Sequence, residues 1–133
     1  MKTIKLSDVA ILDSLLYLDF GTVQSDLHSD FLCTNISFNL KDLDVTFKSN
    51  KAVIHILLRN CYLNHASFQF GFESLTLDNF YRGRIEDNGV VVDIDSCNRK
   101  GFYFHFYEDV YLEVFAEEAL ASYEEETSEI DSF

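Results

Sequence analysis

From residue 31 onward, apolar and polar side chains alternate with a period of two over much of the chain, and this most constrains its fold. Successive side chains point to opposite faces only in an extended strand, so the alternation selects β structure. Leu32, Ile36, Phe38 and Leu40 partly follow the pattern; Leu43, Val45 and Phe47 follow it cleanly before a turn at residues 48–51. Residues 52–58 are apolar apart from His55, as in a strand covered on both faces. After a turn at Arg59 and Asn60, Ala66, Phe68, Phe70 and Phe72 alternate with Ser67, Gln69 and Gly71. Residues 75–84 follow, and Asp87, Asn88 and Gly89 mark a hairpin, because Asn and Gly accept the positive φ of a tight turn. Val90, Val92 and Ile94 alternate next, and beyond a loop at residues 96–101 a closing hairpin is expected from residues 102–107 and 110–116.

Before residue 31 the period differs. Ser7 can cap a helix, Asp8 suits its first turn, and Val9, Leu12 and Leu16 recur at helical spacing beside Ile11, Leu15 and Leu18. A helix over residues 7–18 is therefore expected, with Gly21 as its stop and residues 22–30 as a polar connection. The fold class that follows is mainly β (α+β). One N-terminal helix accompanies an antiparallel meander of about seven or eight strands, forming a sandwich or barrel-like sheet. At 133 residues the chain suits one domain, expected over residues 1–120. Residues 121–133 lack periodicity and carry repelling charge, which reads as a mobile acidic tail; a short helix around 117–126 is the alternative.

No window approaches the roughly 20 apolar residues of a membrane helix. Asp8, Asp13 and Asp19 interrupt the N-terminal apolar run and argue against a signal peptide. Cys33, Cys61 and Cys97 are odd in number and widely spaced, which fits reduced thiols and a soluble cytoplasmic domain.

The register of the closing hairpin decides what it shows to solvent. A two-residue turn at Glu108 and Asp109 would mix both faces and uses poor turn chemistry. A three-residue turn over 107–109 puts Phe102, Phe104, Phe106, Val110, Leu112, Val114 and Ala116 on a core face. Tyr103, His105, Tyr107, Tyr111, Glu113 and Phe115 then form the outer face. A one-residue slip exchanges faces, so this segregation favours the odd turn.

Charge then bears on function. The chain carries −13, yet residues 1–100 hold all 10 basic residues against 13 acidic ones. Residues 101–133 hold 10 acidic residues and no Lys or Arg. A one-signed field of this kind acts on partners more than on fold. The expected partner surface comprises Tyr103, His105, Glu108, Asp109, Tyr111, Glu113, Phe115, Glu117 and Glu118, with Asp93 and Asp95 as strand carboxylates on one face beside it. Aromatic anchors within a charged surround are what interfaces use.

Other chemistry is thinly supported. Cys61 and His65 are four apart, about 13 Å on a strand, and no second pair completes a zinc set. His55 reads as a hydrogen-bonded core residue. Asp93 and Asp95 open something like a calcium loop, but Asn98 and Phe104 stand where Gly and Glu belong. Tyr81, Arg82, Gly83 and Arg84 form one basic spot, too small against −13 for nucleic-acid binding. No nucleophile elbow, P-loop or dinucleotide motif is present, so neither catalysis nor a cofactor is expected.

In size, acidity, β-rich patterning and its Tyr103, Tyr111, Glu113 and Glu117 surface, the chain resembles the immunity proteins that bacteria pair with polymorphic or contact-dependent growth-inhibition toxins. The resemblance implies one basic cognate toxin, neutralised by direct binding. A different class of function is a ligand-binding barrel, with Phe68, Phe70, Phe72, Phe102, Phe104 and Phe106 lining an apolar pocket. A third is a generic adaptor or oligomer subunit, joining chains through a sheet edge or the Tyr-rich face.

Overall fold

The computed structural model describes residues 2–9, 14–67, 74–87, 90–93, 95–96, 98–107 and 110–126, with backbone alone at 84–87, 90–93 and 95–96. The described residues form twelve strands and no helix. They are β1 (Lys2–Lys5), β2 (Tyr17–Asp19), β3 (Gln24–Asp26), β4 (Leu32–Asn39), β5 (Asp42–Lys48) and β6 (Ala52–Ser67), then β7 (Leu77–Arg82), β8 (Arg84–Asp87), β9 (Val90–Asp93), β10 (Asp95–Ser96), β11 (Arg99–Phe106) and β12 (Val110–Glu125).

Two 16-residue strands, β6 and β12, organise the molecule. They pair antiparallel from Tyr111 opposite Ser67 to Glu125 opposite Ala52. Toward the Ala52 end, β6 pairs with β5 and β5 with β4, while β12 pairs with β1. Toward the Ser67 end, β12 pairs with β11, which in turn pairs with β7 and β10. The result is an eight-stranded antiparallel sheet, flanked by the separate pairs β2–β3 and β8–β9. Cys33 of β4 bridges Leu75, just ahead of β7, with N–H···O distances of 2.8 and 2.9 Å in the two directions. One isolated bridge thus ties the β4 edge to the segment leading into β7.

Alternation places the core. Val45 and Phe47 of β5, Ile54 and Ile56 of β6, and Phe102, Phe104 and Phe106 of β11 are all fully buried, as are Leu112 and Val114 of β12. At Asn60 the parity of β6 changes. Leu58 faces inward, but so does Cys61, three residues on. Asn60 has a φ of +47°, a left-handed conformation that Asn tolerates better than most residues. Asp42 Oδ1 accepts its N–H at 3.0 Å, and Arg99 Nε donates to its carbonyl at 2.8 Å. This kink re-aims the second half of the strand, as bulges do.

Several expectations need correction. No helix occupies the described parts of residues 7–18: Ser14 bridges Tyr81, and residues 17–19 are β2. The Leu15 N–H donates to Phe80 O, and Leu16 O accepts from the Leu27 N–H, both at 2.8 Å. Distant segments thus take the backbone groups that a helix would pair internally. The wide apolar stripe has another origin: Leu6, Leu15, Leu18 and Phe20 are buried as separate strand and loop residues. The connection over 22–30 contains β3. Strand β6 is not covered on both faces, since His55 is exposed and Val53 and Leu57 are half-buried. The acidic segment continues as strand through Glu125, with Ala121 and Tyr123 buried, so residues 121–125 are sheet rather than tail or helix. Residues 127–133, like Phe68, Phe70 and Phe72, lie outside the described residues.

Candidate partner-binding face

The closing hairpin takes the three-residue turn. Phe106 pairs with Val110, Phe104 with Leu112 and Phe102 with Val114, and all six are buried. The opposite face therefore gathers Tyr103, His105, Tyr111, Glu113 and Phe115, as alternation requires.

Neighbouring strands extend that face into two cross-strand rows. One row runs Ser67, Tyr111, His105, Asn79; the other runs His65, Glu113, Tyr103, Tyr81. At ordinary strand spacing each row spans about 14 Å. Ring centroids lie 5.2 Å apart for Tyr81 and Tyr103, 6.1 Å for Tyr103 and Tyr111, and 5.1 Å for His65 and Tyr111. Tyr103, Tyr111, Glu113 and His105 are all half-buried. Desolvation first, then nearby Tyr81, Tyr111 and Glu113, push the Tyr103 phenol above its ordinary pKa. It therefore stays protonated at neutral pH.

Polar contacts set the orientations. Asn64 Nδ2 donates to Glu113 Oε1, and the Tyr111 hydroxyl lies 3.4 Å from His65 Nε2. His105 Nδ1 is 3.5 Å from Asp78 Oδ2. Phe115 is buried in a stack with Tyr62 (5.3 Å), and the Arg99 guanidinium lies over the Tyr62 ring at 5.5 Å. Phe115 thus supports the face from beneath that aromatic layer rather than offering a contact.

The remaining expected residues separate. Glu117 is exposed at the bend, accepting from Asn60 Nδ2. Glu118 lies beside Arg59 (3.7 Å) and Lys5 (3.9 Å), paired within the chain. Asp93 ends β9 and Asp95 opens β10, which have different strand partners, so the two are not neighbours on one strand. Tyr107 leaves the face at the turn and packs edge-on to His28 at 5.8 Å. Glu108 and Asp109 lie outside the described residues.

Sequence reasoning missed Tyr81, His65, Asn64 and Asn79 as members of this face. Their membership depends on the β7–β11 and β6–β12 registers, which span long separations and leave no local signal. Among the described residues, no group of three or more His, Cys, Asp or Glu could hold a metal ion, and no helix could cross a membrane. Comparison with protein-family models, curated proteins and solved structures found no match.

Proposed function

We propose that this chain binds and neutralises a basic cognate protein in the cytoplasm, a toxin nuclease, through the face built on Tyr103, Tyr111 and Glu113. The observation that carries the reading is the assembly of half-buried tyrosines around a carboxylate on one sheet face, in a segment without Lys or Arg. Tyrosines supply buried area at small entropic cost, and the negative field speeds encounter with a cationic cleft. Glu118 contributes less than its charge suggests, because a partner must first displace Arg59 and Lys5; such exposed pairs are worth about 0–1 kcal/mol.

The test is binding kinetics against the product of the adjacent reading frame, at low and high salt. Tyr111→Ala should raise the dissociation rate, with a loss of about 2 kcal/mol if Tyr111 is an anchor. Unchanged affinity would remove this face from the account. The ligand-binding barrel is less favoured. Phe102, Phe104 and Phe106 are fully buried, and Phe80 stacks on Phe104 at 4.2 Å, so these rings fill the interior rather than line a pocket.

A further inference from the structure

The chemistry of the central row points to what the partner must insert. Glu113 stands directly opposite Tyr103 on the neighbouring strand, and Tyr111 flanks it in the next row. Asn64 occupies Glu113 Oε1, while Oε2 has no hydrogen-bond partner among the described residues. A half-buried carboxylate beside aromatic faces fits a cation that brings its own donors. The molecule already lays arginines on aromatic rings: Arg99 lies over Tyr62 in the adjoining part of the face, and Arg82 lies 5.8 Å from the Phe102 centroid.

We propose that this face receives an arginine side chain of the basic partner, its guanidinium plane lying on the Tyr103 ring beside Tyr111 and donating to Glu113 Oε2. The identification of the partner rests on the function proposed above; the guanidinium site does not. Arginine fits better than lysine, because a planar, weakly hydrated guanidinium can stack on a ring and still hold its in-plane N–H groups toward a carboxylate. A lysine ammonium would keep more of its hydration and match only the charge. His65 and His105 border the site. Facing them are Glu113 and Tyr111 for His65, and Asp78, Asn79, Tyr103 and Tyr111 for His105.

The experiment uses the full chain with ring-labelled tyrosine, observed by NMR during titration with N-acetyl-arginine amide, N-acetyl-lysine amide and N-acetyl-citrulline amide. The expected result is saturable shifts of the Tyr103 and Tyr111 rings with the arginine probe. Lysine should act more weakly, citrulline should have no effect, and exposed Tyr17 should stay unmoved. Glu113→Gln, which keeps the shape of the side chain, should weaken the arginine probe about tenfold. Tyr103→Phe should retain most of the binding, because the ring is kept. Equal shifts with citrulline, or none at Tyr103, would overturn the site. Measurement of both variants against a captured basic protein separates the two claims. Capture unaffected by Glu113→Gln removes the arginine site and leaves the proposed function. Arginine-selective shifts with no basic protein bound do the reverse.

Discussion

Leu40 is 97% exposed and held at φ +59°, a region that a leucine enters at a cost of about 1 kcal/mol or more. Its side chain recovers little by burial, so Leu40→Asn should stabilise the fold by about 0.5–1 kcal/mol, read as a higher urea midpoint at unchanged slope. A second residue acts through protonation. Burial pushes the Cys33 thiol up to about 12, outweighing an opposing backbone hydrogen bond at Asn35. The folded state then holds this proton more tightly than the unfolded chain, whose thiol titrates near its ordinary value. The stability this contributes is fully present below about pH 8.5, and declines as pH rises toward the folded value. The upward shift at Tyr103 acts in the same direction. Urea unfolding at several pH values from neutral to alkaline should show that decline, and Cys33→Ala should make it shallower. An identical slope in the variant would assign the effect elsewhere.

The outcome at the level of elements follows from how far apart the deciding contacts lie. The 102–116 hairpin was legible because its three-residue turn and both its faces are local: Phe106 opposite Val110 fixes every other pair. Its inner row makes Phe104→Ala the sharpest test. Loss of a fully buried ring stacked between Phe80 and Phe106 should cost about 3–5 kcal/mol, measured by denaturant unfolding. Residues 14–18, within the expected helix over 7–18, are misread for the converse reason. Leu15 and Leu18 have helical spacing, but Phe80, far along the chain, and Leu27 of the next turn take up the backbone groups beside them. Likewise, Tyr103, Tyr111 and Glu113 could be grouped by parity alone, whereas Tyr81 and His65 joined them only through strand orders that the sequence does not spell out. The kink at Asn60 was visible as a turn signal, yet it proved to be a bend within one continuous strand.

For the molecule as a whole, charge and fold overlap more than the acidic run implied. Ala121 and Tyr123 are core residues of β12, so a deletion beginning at 121 would remove sheet along with charge. Truncation after Glu126 is the clean alternative; it takes away Glu129 and Asp131 and leaves every described strand intact. Thermal stability should hold, and association with a basic partner should slow only modestly, since most acidic groups remain. Physiological salt, with a Debye length of about 8 Å, should slow association more than the truncation does. Loss of folding on truncation would instead place structural weight beyond Glu126. The central ribbon also has a temporal consequence. Every pairing of β6 with β12 joins segments more than 40 residues apart, and β1 finds Leu120 to Tyr123 only near the end of the described chain. During translation, the apolar strand from Ala52 to Leu58 emerges from the ribosome well before the partner that will shield its edge. The nascent chain therefore passes through a window in which that edge stays unpaired until residues 110–125 have been made.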